Sequence, residues 1–493
     1  FDGSGNDNWT TGGTDGDDDW DGASYPGFGP GEVATFDPGS SDTVTITEAL
    51  GTGVGSAPAV ELDGGNANIN VDNGLAIAFD DIIFSTNHVL TLTSNGTSTI
   101  TVNNFTGGTG TIVVGAGVTL NFSTGATVDF TNVIINVDPF GAINIDGDAD
   151  FGTNINIANG GILTTTGLAS IVADLSLDMD ESGGNSNVTF DELTIGAGFD
   201  LALDGSGASS ATLTVTNALT LGAASRILAG TAPGTNVVCG SLVEVATSVL
   251  NIPGSLTVQA AWNVTTTQPI TVDGSLNVEG LFTLDTAATL TVGDDMNVEG
   301  ASFTGSGAVD VTNNFFSNGN VTWDNATSFD ADGVEVDGNL TIEDGDFNVD
   351  GDVDVTGDFT HNGGNVAVTG SVDANGDILL DSAGDYSANE TIFSGTFTNT
   401  ATGGVTLGML GVDTGGAFTF TPAAVGSLVG GFAAGPGTTL TIDSSGLAGP
   451  LQVGGPIMVF DNASITVQGD VVFTAPCTIT IDDDAGTLLF QGT

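Results

Sequence analysis

Three successive segments decide the fold: NIPGSLTVQAAW (251–262), TVDGSLNVEGLF (271–282) and TVGDDMNVEGAS (291–302) follow one another at a constant spacing of about 20 residues. Apolar residues return to the same two positions in each segment, which gives one column of Leu256, Leu276 and Met296 and another of Val258, Val278 and Val298. Phe316 continues the first column one period later. A fixed period of about 20 residues is typical of solenoids, in which each repeat forms one coil and packs on its neighbours.

The rest of the chain has the same pattern of short alternating runs and turns, with a less regular period. Short alternating runs such as VLTLT (89–93) and VTLNF (118–122) are separated by Gly-rich turns, and such alternation places one set of side chains inside and the other in water. We therefore predict an all-β fold, a right-handed parallel β-helix (β-solenoid) with about 20 residues per coil. The 27 Phe against 2 Tyr indicate stacked rings in a narrow core.

Composition divides the chain into four parts. Residues 1–40 are rich in Gly and Asp and are predicted to form an irregular N-terminal cap or loop module, followed by a β-solenoid body at 41–420. Residues 421–437 (TPAAVGSLVGGFAAGPG) break the alternation and are predicted to be an irregular Ala/Gly-rich insertion, which could be a loop, a short helix or a hinge. Residues 438–493 are predicted to be a C-terminal β-strand region that could serve as an assembly segment.

The charge balance limits the partners of the protein. Sixty-one acidic residues face a single basic residue, Arg226, and the formal net charge is −60. Nucleic acid and anionic membrane surfaces are excluded as partners, because contacts with both need Lys or Arg. The carboxylates must be solvated or bridged by cations, and we expect divalent cations, Ca²⁺ in particular.

Several features favour export. No apolar run approaches the roughly 18 residues that span a bilayer, and the chain opens at Phe1 with no apolar leader, as a processed N-terminus would. The scarcity of Lys and Arg also leaves almost no sites for trypsin-like proteases. We expect a secreted, extracellular or cell-surface protein without membrane insertion.

Asp17, Asp19 and Asp21, followed by Gly22, have the D-x-D-x-D-G spacing that places oxygen atoms around Ca²⁺. Phe28 stands at the twelfth position, where a calcium loop carries Glu. The three aspartates are candidate metal ligands, and the alternative interpretation is a solvated acidic loop.

No pattern of residues indicates catalysis. Carboxylate pairs are too frequent to be diagnostic. Solenoid lyases that cleave acidic polysaccharides generally rely on Lys or Arg, of which this chain has only Arg226, and a surface this negative would repel their substrates. His88 and His361 have no Cys or His partner at ligand spacing and are interpreted as turn residues. We expect that the protein is not an enzyme.

Cys239 and Cys477 are too far apart along a straight solenoid for an intrachain disulfide, which needs Cα atoms within about 7 Å. One hypothesis is an intersubunit disulfide between Cys477 of one molecule and Cys239 of another. The alternative is two free thiols that act as small apolar residues.

The N-terminal pattern resembles the opening of secreted bacterial β-helix proteins, including autotransporter passenger domains and surface adhesins. The similarity lies in Trp9 and Trp20, followed by Pro26, Pro30 and EVATFDPGSSDTVTI (32–46). It covers only this N-terminal part of the chain and implies a right-handed parallel β-helix at a bacterial surface.

The leading hypothesis for function is an extracellular structural protein whose subunits self-assemble into a filament or surface layer, stabilised by cations. Its partner would be a second copy of the chain. The alternative is a cell-surface adhesin or carbohydrate-binding β-helix that binds extracellular glycans. A third hypothesis, ice binding, is suggested by TVTIT (43–47) and TLTVT (212–216), although these runs do not recur at one fixed register in the sequence.

Overall fold

The computed structural model describes residues 7–8, 33–36, 41–46, 59–62, 66–85, 87–123, 125, 127–180, 186–206, 211–230, 234–413, 417–421, 428–447, 449–482 and 486–492. The chain forms two compact units, residues 1–259 and residues 260–493, which are called unit 1 and unit 2 below. No helix occurs among these residues, so none of them forms a helix that could cross a membrane.

Unit 1 consists of short strands joined by turns. Its strands are β1 (Asp7–Asn8), β2 (Val33–Phe36), β3 (Ser41–Ile46), β4 (Ala59–Leu62), β5 (Asn66–Val71), β6 (Ala76–Phe84), β7 (His88–Ser94), β8 (Ser98–Thr106), β9 (Gly110–Val114), β10 (Val118–Phe122), β11 (Val128–Phe130), β12 (Val133–Val137), β13 (Ala142–Ile145), β14 (Ala149–Phe151), β15 (Ile155–Ile157), β16 (Ile162–Thr165), β17 (Leu168–Ile171), β18 (Leu175–Asp180), β19 (Asn187–Phe190), β20 (Glu192–Ile195), β21 (Asp200–Ser206), β22 (Thr212–Leu221), β23 (Arg226–Ala229), β24 (Asn236–Val243), β25 (Val249–Ile252) and β26 (Leu256–Val258).

Unit 2 is built in the same way. Its strands are β27 (Trp262–Val264), β28 (Ile270–Val272), β29 (Leu276–Leu284), β30 (Leu290–Val292), β31 (Met296–Phe303), β32 (Val309–Ser317), β33 (Val321–Val336), β34 (Leu340–Val349), β35 (Val353–Val355), β36 (Phe359–His361), β37 (Asn365–Ala374), β38 (Ile378–Leu380), β39 (Tyr386–Phe393), β40 (Phe397–Asn399), β41 (Val405–Leu407), β42 (Leu410–Val412), β43 (Ala417–Thr421), β44 (Leu428–Val429), β45 (Phe432–Ala434), β46 (Thr439–Asp443), β47 (Leu451–Val453), β48 (Ile457–Val459), β49 (Ser464–Gln468), β50 (Val471–Phe473), β51 (Ile479–Ile481) and β52 (Thr487–Gln491).

Each unit is a β-solenoid, as the repeat in the sequence predicts. Strands pair in parallel with the strands one coil before and one coil after, and three ladders of such pairs run through each unit. Most strands bury alternate residues, so one face of each ladder lines the core and the other faces water. The hand of the coil stays a prediction.

The length of a coil differs along the chain. In unit 2, Leu276 pairs with Met296, as predicted. Met296 then pairs with Phe315, so this coil is one residue shorter and the prediction that Phe316 continues the column is wrong. Phe315 is 1% exposed, whereas Phe316 lies on the outer side of its strand. The shorter coil moves the inward position from Phe316 to Phe315, because neighbouring residues of a strand point to opposite faces.

The core contains stacked aromatic rings in both units, which confirms that prediction. In unit 1, the ring centroids of Phe130 and Phe151 lie 5.7 Å apart at an interplanar angle of 14°. In unit 2, Phe329 and Phe347 stack with centroids 4.8 Å apart. Such stacks fix the register of successive coils, because each ring fills the space above the ring before it.

One corner of unit 2 is held by side chains that bond to the next coil. Four residues, here called the corner ladder, each accept a hydrogen bond at Oδ1 from the backbone N–H of the residue 19 positions later: Asn320, Asn339, Asp358 and Asp377. The four donor–acceptor distances lie between 2.6 and 2.9 Å. A glycine directly precedes each residue that donates its backbone N–H. A Cβ on one of these glycines, Gly376, would lie 2.3 Å from Asp358 Oδ1. The recurrent Gly-Asn and Gly-Asp pairs of the sequence therefore mark the corners of coils.

Within the segment predicted to be an irregular insertion, 421–437, residues 428–429 and 432–434 form β44 and β45. They pair in register with strands of the coils on either side. The described part of this segment therefore continues the solenoid.

Candidate functional surfaces

Two shallow depressions lie on unit 1. Their volumes are about 290 and 320 Å³, and both are lined mainly by outward-facing side chains of neighbouring coils. Within the described ranges no three His, Cys, Asp or Glu side chains are grouped so that they could hold a metal ion. Asp17, Asp19 and Asp21 lie outside the described residues, so their role as calcium ligands stays a prediction.

The two histidines lie on strands and are buried, so the interpretation that they are turn residues is wrong. His88 begins β7 and is 8% exposed. His361 ends β36 and is fully buried, and its Nε2 lies 3.0 Å from the carbonyl oxygen of Gly364. Burial lowers the pKa of His361, so the ring is neutral in the core at neutral pH.

The two cysteines differ in environment. Cys239 lies on β24, is 0% exposed, and its Sγ is 3.7 Å from the carbonyl oxygen of Thr257. Burial first, and the nearby Glu244 carboxylate second, raise the pKa of Cys239 to about 12. Cys477 is partly exposed, and both thiols are free. An intersubunit bond through Cys239 would require the surrounding coil to open, and the predicted disulfide stays a prediction.

Arg226 pairs with a carboxylate, as expected. It lies directly beside Asp200 in the β21–β23 ladder, where its Nε donates to Oδ1 at 2.6 Å and its Nη2 donates to Oδ2. The Asp200 carboxylate raises the pKa of the guanidinium. Because the Arg226 side chain is 49% exposed, this pair adds little to stability.

Carboxylates are stacked on one face of unit 2. Glu335, Asp354 and Asp373 are direct partners on three successive coils of one ladder, so they repeat at a spacing of about 4.8 Å. Partial burial, with the charge of Asp352, raises the pKa of Asp354. Burial and the charges of Asp354, Asp413 and Glu390 raise the pKa of Asp373. This stack is here called the acidic column, and its raised pKa values favour proton uptake by Asp354 and Asp373.

A second face, in unit 1, carries no charge. It consists of two adjacent outward columns on the ladder that runs through β6, β8, β10, β13, β16, β19, β22, β24 and β26, and it is here called the neutral face. The first column is Ala76, Thr99, Thr119, Ala142, Ile162, Asn187, Thr212 and Asn236. The second column is Ala78, Thr101, Asn121, Asn144, Thr164, Thr189, Thr214, Val238 and Thr257.

The neutral face brings several Thr and Asn pairs into one register. The runs TVTIT and TLTVT do belong to different ladders, through β3 and β22. However, other Thr and Asn pairs share the register of TLTVT on the neutral face, including Thr99 with Thr101 and Asn187 with Thr189. The two runs named from the sequence thus do not share a register, as expected, whereas coils of unequal length hide the alignment of the other pairs in the sequence.

The last described coil of unit 2 differs from the coil before it in the exposure of its inward side chains. Three pairs compare it with the coil before: Val453 with Phe473, Ile457 with Ile479, and Val459 with Ile481. The earlier member of each pair is at most 1% exposed, whereas the later member is 44 to 48% exposed. Strands β50, β51 and β52 pair only with β47, β48 and β49 among the described strands. The inward side chains of this coil are therefore more exposed than those of the coil before it, and it is called the open coil below.

No family model, curated protein or solved structure matches the chain. The resemblance to autotransporter passengers and adhesins therefore stays a prediction. Sequence reasoning singled out the C-terminal strand region, 438–493, and its role as an assembly segment stays a prediction. It missed the acidic column and the neutral face, whose members are brought together only by the register of the coils.

Proposed function

We propose that the protein is an extracellular structural protein that assembles through the open coil with a second copy of the chain. The observation that carries the proposal is the exposure of Phe473, Ile479 and Ile481, whose counterparts one coil earlier are buried. Solvent-exposed apolar clusters of this kind favour association, and an uncovered strand edge adds main-chain hydrogen bonds to any chain that continues the ladder.

The size of the open coil supports association of moderate strength. Six apolar side chains on it are between 42 and 48% exposed: Val472, Phe473, Ile479, Ile481, Leu489 and Phe490. Covering those that face inward would remove on the order of 300–400 Å² of apolar surface, worth roughly 8–10 kcal/mol before the cost of association. The hydrogen bonds of three edge strands would add to this and would fix the register of the partner.

The large negative net charge makes the proposed assembly depend on cations. Two molecules that each carry −60 repel one another, so association depends on screening by salt or on bound divalent ions. The acidic column offers closely spaced carboxylates to such ions. We therefore expect calcium to promote assembly and to raise the melting temperature above the effect of monovalent salt at equal ionic strength.

Electron microscopy and sedimentation velocity of the purified chain test the proposal together. Assembled particles that grow with protein and calcium concentration support it. Monomers at every calcium and protein concentration contradict it. An unchanged melting temperature after calcium removal contradicts only the proposed role of cations.

An adhesin that binds extracellular glycans is the second candidate. The outward Thr and Asn columns supply hydroxyl and amide groups that could bond to sugars, although the neutral face contains no aromatic side chain on which a sugar ring could stack. Glycan-array binding by a chain that stays a single copy in sedimentation would favour this candidate over assembly.

A further inference from the structure

The absence of charge on the neutral face is unexpected for this chain. Acidic residues make up 61 of the 493 residues, or about one in eight, so about two are expected among seventeen positions even without any preference for the outer side. The seventeen positions of the neutral face contain none. By contrast, Asp129 and Asp150 lie side by side on another face of unit 1, and Asp178 and Asp204 on the third.

The side chains of the neutral face form a regular grid. Parallel strands repeat at about 4.8 Å along the ladder, and residues two apart in a strand lie about 6.6 Å apart across it. Most members are Thr or Asn, and Thr has few rotamers because it branches at Cβ. Asn144 Nδ2 donates to Asn121 Oδ1 at 2.9 Å, which fixes the amides on neighbouring coils. The face is thus periodic in two directions.

The chemistry of the face limits what it can bind. An ionic ligand finds no opposite charge on it, and a sugar ring finds no aromatic surface. A second copy of the face would bury hydroxyl and amide groups against each other, and each group left without a partner costs about 1–3 kcal/mol. A partner made of water avoids this cost, because every hydroxyl keeps a water neighbour.

We propose that the neutral face docks on ice. Oxygen atoms on the prism face of ice repeat in two perpendicular directions with spacings close to those of the grid. Hydroxyls of residues such as Thr99 and Thr101 can join the outermost water layer as donors and acceptors, and their methyl groups sit between lattice waters. The lack of carboxylates matters here, since a fixed charge organises water around itself in an arrangement that differs from the lattice. This inference goes beyond assembly and does not depend on it.

Two substitutions on one coil provide a matched pair. Thr189 lies on β19 between Thr164 and Thr214 of the neutral face. Thr194 lies on β20 of the same coil, between Ser170 and Thr220 on a different face. Both side chains are half-buried and outward-facing. Thr189→Tyr raises a ring above the grid, and Thr194→Tyr introduces the same ring elsewhere.

The experiment measures thermal hysteresis of the full chain and incorporation of the chain, labelled at its α-amino group, into a growing ice hemisphere. The proposal expects hysteresis and incorporation for the unmodified chain and for Thr194→Tyr, and a loss of about tenfold for Thr189→Tyr at equal melting temperature. If Thr189→Tyr lowers the melting temperature, Thr101→Tyr on another coil replaces it with the same expectation.

Three results would overturn the proposal. The first is an unmodified chain without hysteresis or incorporation into ice, and the second is an equal loss of both in the two variants. The third is an unmodified chain without ice activity whose sedimentation coefficient changes on Thr189→Tyr. That result would assign the neutral face to contacts between copies of the chain.

Discussion

The corner ladder of unit 2 makes a quantitative prediction about how successive coils are held together. Asp377 Oδ1 accepts a hydrogen bond from the backbone N–H of Thr396 at 2.6 Å. Asp377→Ala removes this acceptor at an exposed corner, where water can replace it, so the free energy of unfolding should fall by about 1 kcal/mol. Asp377→Asn keeps an oxygen acceptor and removes one charge next to Asp358, so it should be at least as stable as the unmodified chain.

Substitutions at Gly395 and Asp377 should have non-additive effects on stability. A Cβ at Gly395 would lie 2.3 Å from Asp377 Oδ1 and 2.6 Å from the carbonyl oxygen of Gly376. Gly395→Ala should therefore destabilise unit 2 by about 2 kcal/mol or more. Asp377→Ala clears the first of these two contacts, so the double variant should be less destabilised than the sum of the single variants by about 1 kcal/mol.

Urea unfolding followed by tryptophan fluorescence measures these differences, because Trp262 and Trp323 are both at most 1% exposed in unit 2. A midpoint for Asp377→Ala that equals that of the unmodified chain would refute the structural role of the ladder. A loss in Asp377→Asn equal to that in Asp377→Ala would show that charge, and not the hydrogen bond, holds the corner.

Three further predictions follow from the surroundings of single side chains. Because the pKa values of Asp354 and Asp373 are raised in the folded chain, the folded state binds protons more tightly than the unfolded state there, and stability at these sites should rise as the pH falls from neutral through the raised pKa values. Asp354→Asn and Asp373→Asn should each raise the melting temperature at pH 7, and a fall in both would contradict this sign. A thiol reagent should modify Cys477 in the folded chain, and it should modify Cys239 at least about a hundredfold more slowly. Denaturant, which opens the coil around Cys239, should remove this difference. Equal rates in the folded chain would be inconsistent with the burial of Cys239. Arg226→Ala should leave the urea midpoint nearly unchanged, and a clear fall in the midpoint would show that the exposed ion pair stabilises the fold more than its surroundings allow.

The fold could be predicted from the sequence because the period of the apolar positions is a local property. The pairs Leu276 with Met296 and Val278 with Val298 stand at the same spacing in the sequence and in the ladder. The error at Phe316 shows the limit of this reasoning, because a coil shortened by one residue reverses which of two adjacent phenylalanines faces inward. Where two neighbouring residues are both apolar, the sequence pattern alone does not distinguish them.

The surfaces were harder to predict for the same reason. Leu177 pairs with Leu203 and Val188 pairs with Leu213, so these coils of unit 1 are longer than the repeat of unit 2 and differ from each other in length. No single period therefore aligns the outward residues of unit 1. Asp354 and Asp373 belong to a chain full of aspartates, and only the ladder shows that they are neighbours. The burial of His361 was missed because a single polar residue in an alternating run gives no signal of its own.

The most direct test of assembly through the open coil compares two adjacent residues of β51 by sedimentation equilibrium. Ile481 faces inward and is 46% exposed, whereas Thr480 lies on the outer side of the same strand. Ile481→Asp would bury an unpaired carboxylate under a docked coil, which costs several kcal/mol and weakens association by roughly a thousandfold. We predict that the unmodified chain and Thr480→Asp associate with similar dissociation constants and that Ile481→Asp stays monomeric. Equal association of all three chains, or a single copy in all three, would contradict the proposal.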